Sequence, residues 1–313
     1  MRGASSCRPA SWPWCRANSR SIGSVPMARI AIIGGGSMGE AILAGLLRAG
    51  RQVKDLVVSE RMPERARYLG EKYSVRMATV AEAVETASFV IVAVKPADAE
   101  TVIAEIAEAA AQAESDTVEQ VVVTVLAGVT IGFYEARLPA GSPVVRVMPN
   151  APALVGAGVS ALAAGRFATP EQLADVAALF KCIGDVLMVP ESQLDAVTAI
   201  SGSGPAYFFL FIEALVDAAV ANGLGRAVAT DLAVQTMAGS AALLLERLDG
   251  ERAAGEDAGL DTSAARLRAM VTSPGGTTAA GLRELERGGV RAAIAAAIDA
   301  AKTRSEQLGI TSE

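Results

Sequence analysis

The apolar positions of this chain follow two regimes. In the first half, short apolar runs of strand length alternate with longer amphipathic stretches. Arg29–Ile33 reads as a strand, Ser37–Ala49 as a helix closed by Gly50, and Asp55–Ser59 as a second strand. The charged stretch Pro63–Tyr73 is helical, Ala87–Val94 is a buried strand, Asp98–Ala110 a helix and Gln120–Leu126 another buried strand. Val144–Met148 makes a further one. Strands interleaved with helices predict a doubly wound parallel sheet. The polar, acidic stretch Ala111–Glu119 reads as a surface loop.

From about Pro170 the periodicity turns helical. Glu171–Lys181 is amphipathic, Gly184–Val189 fits a last strand, and beyond Pro190 long helices are expected at Pro205–Ala221, Ala227–Leu248 and Gly289–Gln307. Asp249–Asp261, rich in glycine and charge, reads as a mobile connection. The longest apolar stretch, Ala206–Val220, is interrupted by Glu213 and Asp217, which predicts a buried helix and no membrane span. These patterns divide the chain into an α/β domain over 27–189 and an all-helical domain over 190–313.

Residues 1–26 stand apart. They carry Arg2, Arg8, Arg16 and Arg20, no acidic residue and no apolar run able to serve as a signal core. A transit peptide would look like this, and so would a start placed upstream of a natural one at Met27; the segment is left out of the fold. With no export signal, a cytoplasmic location is expected.

Composition narrows the chemistry. The chain has 313 residues, room for two cores, and a net charge of −6, which argues against a general nucleic-acid binder. It contains no histidine, so Ser-His-Asp and Cys-His nucleophiles, the commonest acid–base group and His-based metal sites are all excluded. Cys7, Cys15 and Cys182 are too few and too scattered for a structural zinc site, and no metal is expected. Chemistry must come from a cofactor, or from Ser, Thr, Tyr, Lys and carboxylates.

Gly34, Gly36 and Gly39 supply a cofactor site. They fit G-x-G-x-x-G directly after a strand and at the opening of a helix, flanked by Ser37 and Met38. The first glycine allows the tight turn, the second lets the backbone approach a pyrophosphate, and the third lets helix pack on strand. An acidic residue, Glu60, follows about 20 residues further on. This is the dinucleotide-binding turn of a Rossmann domain, for a nicotinamide or a flavin. Glu60 suits a ribose 2′-OH and hence NAD, whereas Ser59 and Arg61 suit a 2′-phosphate and hence NADP; the residues leave both open. Val94-Lys95-Pro96 and the Asn150 turn follow strands at the carboxyl end of the sheet, where such folds bind ligands.

Two segments of the helical half carry more small and hydroxyl residues than an N-cap requires. They are Ser201–Tyr207 (SGSGPAY) and Val271–Thr278 (VTSPGGTT), the latter before a helix beginning near Ala279. Hydroxyls and backbone N–H groups at a helix start suit a carboxylate, with an ordinary cap and turn as the alternative.

In order and spacing, the glycine turn, Val94-Lys95-Pro96, Met148-Pro149-Asn150, Ser201–Tyr207 and Val271–Thr278 resemble the pyrroline-5-carboxylate reductase family over essentially all of residues 27–310. The resemblance implies an N-terminal Rossmann domain and a helical dimerisation domain, in homodimers or rings of dimers. It implies reduction of the ring C=N of 1-pyrroline-5-carboxylate, a small anionic imine, in the last step of proline synthesis. NADPH is placed ahead of NADH as the cofactor. By resemblance, Thr278 hydrogen-bonds the ring nitrogen, Ser273 and the backbone amides around Gly275, Gly276 and Thr277 hold the carboxylate, and Ser201 belongs to the substrate-binding residues. Hydride transfer to an imine needs positioning more than a strong protein base, which suits a chain without histidine.

Two other readings compete. A β-hydroxyacid dehydrogenase would carry a lysine soon after the interdomain Gly-x-Gly, yet Gly202-Ser-Gly204 is followed by Pro205, Ala206, Tyr207, Phe208 and Phe209. A non-catalytic NAD(P)H sensor would have no use for the donor-rich segment around Thr278.

Overall fold

The computed structural model describes residues 28–112, 120–253 and 263–310. The N-terminal extension, most of the acidic loop and most of the Gly-rich connection therefore lie outside the described residues. Two compact units result: one runs to Pro205 and takes in the chain again from Asp299, and the other is Ala206–Ile298.

The first unit begins with β1 (Ile30–Ile33), α1 (Ser37–Arg48), β2 (Leu56–Ser59), α2 (Pro63–Tyr73), a short β3 (Arg76–Met77), α3 (Val80–Val84), β4 (Phe89–Val92) and α4 (Ala99–Gln112). It continues through β5 (Val121–Thr124), α5 (Ile131–Glu135), β6 (Val144–Met148), β7 (Gly158–Ala164), α6 (Pro170–Phe180), β8 (Gly184–Met188) and α7 (Leu194–Val197). The strands form one sheet in the order β3-β2-β1-β4-β5-β6-β7-β8. Every described neighbour pair is parallel except β6 with β7, which is antiparallel.

The sheet is thus the parallel-dominated, doubly wound one expected, and the antiparallel pair adds a strand, β7, to it. β7 was not anticipated because Gly158–Ala164 is built of small residues with no run of large apolar side chains. Its direction reverses because the chain leaves β6 through a short 3-10 turn at Ala151–Val155, too short for a crossover helix.

The central strands are buried on both faces, as parallel strands under helices must be. Ile30, Ile32, Val58 and Ile91 pack with Ile42 and Leu46 of α1 and with Val176 and Phe180 of α6. The alternate residues Ala31, Ile33, Val90 and Val92 pack with Ile103 and Ile106 of α4 and with Tyr134 of α5. Helix starts are written locally: Thr79 with Glu82 and Thr169 with Gln172 form capping boxes, and Pro63 and Pro170 occupy first-turn positions. Buried Arg146 on β6 ion-pairs with Glu191 at 3.1 Å, and the same carboxylate oxygen accepts the Ile131 N–H at 2.7 Å. These bonds hold the chain where it leaves the sheet.

The second unit is helical. α8 (Gly204–Ala221), α9 (Arg226–Ala253), α10 (Ser263–Met270), α11 (Thr277–Arg287) and α12 (Val290–Ile310) follow one another. α9 runs through Asp249–Ala253, five residues that were expected in the mobile connection, and α11 starts at Thr277, two residues before Ala279. The end of α12 returns to the first unit, where the Ser305 hydroxyl donates to Asp195 at 2.6 Å. Gly128, at φ +79°, lets that helix end approach: a Cβ there would lie 3.0 Å from the Leu308 Cβ.

α8 also departs from expectation. It is helical, but Phe208, Phe209, Leu210, Phe211 and Leu215 are exposed, and only Val216 on its apolar stretch is buried. The sequence pattern reported that these side chains need cover, and a single chain does not provide it.

Candidate functional site

The glycine turn is shaped by collisions that side chains would cause. Gly34 has φ +104°, and a Cβ there would sit 2.7 Å from the Ala93 carbonyl carbon; one on Gly39 would sit 1.9 Å from the Gly34 oxygen. A Cβ on Gly36 would meet nothing within 4 Å. The first and third glycines therefore serve packing, while the second keeps a space open beside the start of α1. Gly36 is the N-cap residue of α1 and makes no side-chain cap bond. Donors at a helix start facing open space fit a pyrophosphate. Ser37 is exposed and Met38 half-buried at this rim.

Around the turn, the structure adds partners that no motif announced. The Gly34 N–H donates to the Ser59 carbonyl at 2.8 Å. The Gly35 N–H donates to Glu60 Oε2 at 2.8 Å, and the Met62 N–H donates to Glu60 Oε1 at the same distance. On its other side the Gly35 carbonyl accepts from Arg65 Nε at 2.7 Å. Arg65 also bonds Glu40, whose carboxylate accepts from Lys72 at 2.9 Å and from Tyr73 at 2.8 Å. Burial pushes the Glu40 carboxyl up, but the hydrogen bonds from Lys72, Tyr73 and Arg65 outweigh it and hold the group down at about 2. Arg61 reaches Asp98 at 3.2 Å.

Lys95 and Pro96 are exposed just past β4, with Val94 half-buried beside them. Asn150 is buried, and its side-chain oxygen accepts the Val159 N–H at 2.9 Å, tying the turn after β6 to the start of β7. Beside Met148, at the end of β6, lies a single π-helical turn, Thr198–Gly202. The Ser201 hydroxyl in that turn donates to the Val197 carbonyl at 3.0 Å, and Gly202 closes on Met148, whose Cε is 2.7 Å from where a Cβ would be. Such π-bulges recur at functional sites. Cys182 is buried, which pushes its thiol up to about 12 and leaves it no role as a nucleophile.

In the second unit, Ser273, Gly275, Thr277 and Thr278 are exposed and Gly276 is half-buried. The Gly276 N–H donates to the Ser273 carbonyl at 3.0 Å, and Gly275 turns the chain at φ +69°. Gly276 is the N-cap residue of α11, and no side chain caps the helix. Two threonines and a serine thus surround a helix start that they do not cap, which leaves its N–H groups for an anion.

Residues 191–308 match the family model described as pyrroline-5-carboxylate reductase dimerisation. Residues 29–128 match one described as NADP oxidoreductase, coenzyme F420-dependent. A curated pyrroline-5-carboxylate reductase of Mycobacterium tuberculosis is 70% identical over 291 residues, which cover 92% of this chain and 99% of that protein. The chain belongs to the pyrroline-5-carboxylate reductase family. Solved members share its fold. The pyrroline-5-carboxylate reductase of Coxiella burnetii matches with a TM-score of 0.79 at 33% identity, over 90% of this chain and 99% of that one. The pyrroline carboxylate reductase of Plasmodium falciparum, solved with NADP bound, matches with a TM-score of 0.75 at 27% identity, over 90% and 98%. The resemblance read from the glycine turn and the SGSGPAY and VTSPGGTT segments is thereby borne out.

Proposed function

We propose that this chain is a cytoplasmic homo-oligomer that reduces 1-pyrroline-5-carboxylate to proline, with NADPH ahead of NADH. The observation that carries the substrate reading is the uncapped start of α11, ringed by Ser273, Thr277 and Thr278. Its N–H groups and the Ser273 hydroxyl hold the substrate carboxylate, and the Thr278 hydroxyl hydrogen-bonds the ring nitrogen. The reduced nicotinamide, when bound, supplies the hydride that the imine carbon accepts. The turn Gly34–Gly39 holds the pyrophosphate, with Ser37 and Met38 at its rim, and Ser59, Glu60 and Arg61 border the adenosine half. Val94, Lys95, Pro96 and the Asn150 amide line the approach from the sheet. The ring nitrogen enters protonated or takes its proton through a hydroxyl or water, since the chain offers no histidine.

The exposed apolar side chains of α8 favour a second copy as their cover, in line with the family model named for dimerisation that matches this region. By length and composition alone, Glu191–Ala221 and Arg226–Glu251 are also apolar enough to cross a membrane. Purification from the soluble fraction as a dimer or a ring of dimers is expected; extraction only with detergent would overturn the cytoplasmic reading, and the mass of a single chain the homo-oligomer reading. The activity is tested by following NADPH and NADH oxidation at matched concentrations with pyrroline-5-carboxylate. Turnover with NADPH ahead of NADH is the expected result, and no oxidation of either overturns the proposal.

A further inference from the structure

The sheet order puts β1 between β2 and β4, so the loops that follow β2 and β4 flank the glycine turn that follows β1. Arg61 lies two residues past the end of β2, and Asp98 ends the 3-10 turn Pro96–Asp98 that follows β4. Their ion pair, 3.2 Å from guanidinium to carboxylate, therefore spans the carboxyl end of β1. The Arg61 side chain is 79% exposed and that of Asp98 31%. An exposed pair of this kind is weak and exchanges partners readily.

Glu60 is committed elsewhere. Both of its carboxylate oxygens receive backbone N–H bonds at 2.8 Å, from Gly35 and Met62. The group next in line for the adenosine 2′ position is then Arg61, and the anion already on Arg61 is Asp98. A 2′-phosphate carries more charge than a carboxylate and offers three acceptor oxygens, so it can displace Asp98 from the guanidinium.

We propose that Asp98 is a specificity-determining residue: it holds Arg61 across the adenosine subsite and competes with the 2′-phosphate, which narrows the preference for NADPH over NADH. The inference rests on the proposed use of a nicotinamide dinucleotide, and a direct binding experiment separates the two. NADPH and NADH are titrated separately into the full-length protein without substrate, and the rise in nicotinamide fluorescence is read. Asp98→Asn should tighten NADPH by roughly fivefold, the upper range for an exposed ion pair that no longer has to be broken, and leave NADH unchanged. In an Arg61→Ala background, Asp98→Asn should lose most of that effect. Equal tightening of both dinucleotides, or an undiminished effect without Arg61, overturns the role of Asp98 even if pyrroline-5-carboxylate is still reduced. Tight binding with the expected Asp98 effect but no reduction overturns only the proposed reaction. A protein that binds neither dinucleotide overturns both.

Discussion

Gly35 and Glu60 are joined across the first two βα turns: the glycine N–H donates to the glutamate Oε2 at 2.8 Å, and a Cβ on Gly35 would press to within 2.4 Å of Leu69 Cδ1. Glu60 therefore shapes the turn from within. A ribose-binding glutamate would give NADH an affinity that NADPH lacks, and its removal would weaken NADH alone. Glu60→Ala should instead weaken both dinucleotides alike, by roughly tenfold, the scale of a lost hydrogen bond to a charged group. Fluorescence titration with each dinucleotide checks this, and a loss confined to NADH would return Glu60 to the ribose.

Thr278 makes the opposite kind of contribution. It is exposed on the first turn of α11 and contributes no cap bond, so its hydroxyl is not needed to hold the helix. Thr278→Ala should lower kcat/KM for pyrroline-5-carboxylate by about tenfold or more, the range for a lost hydrogen bond at a reacting group, with NADPH binding unchanged. Steady-state kinetics beside a binding titration decide it; wild-type kinetics in the variant would remove Thr278 from the site.

Much of this was legible in the sequence because the signals were local. The turn Gly34–Gly39, the helix opening at Pro63 and the VTSPGGTT segment each lie within one stretch of chain, where spacing reports geometry directly. What stayed hidden was non-local. Arg65 reaches the Gly35 carbonyl from 30 residues away, and Tyr73 reaches Glu40 from 33. Asp98 stands two residues past the Lys95-Pro96 pair, and only the sheet order brings it to Arg61. β7 was missed because small residues carry no periodic signal. The exposure of α8 was missed because hydropathy records that a face needs cover and not which chain supplies it.

The Glu40 cluster gives the fold a pH dependence of known sign. The carboxyl ionises near 2 in the folded protein against an ordinary value of 4.5. Its stabilising contribution is complete above the ordinary value and disappears as pH falls from there toward 2. Glu40→Gln should lower Tm at neutral pH by roughly 2–4 °C, the shift that about 1 kcal/mol produces in a domain of this size. The gap between variant and wild type should close on acidification through that window. Melting curves across the range test it, and a gap that stays constant at all pH values would mean that the charge on Glu40 plays no part.

Phe209 is 67% exposed on a helix whose neighbours Phe208, Leu210 and Phe211 are also exposed. A helix apolar around most of its circumference is normally buried, and contiguous aromatic exposure on this scale marks an interface. If a second copy covers α8, a charge at Phe209 must be buried without a partner each time two chains meet. The cost of that burial exceeds what a dimer interface tolerates at one site, on the order of several kcal/mol. Phe209→Glu should therefore shift the molecular mass in sedimentation to that of one chain, while the first unit stays folded and still binds NADPH. Unchanged mass in the variant would place the interface on another face of the helical unit.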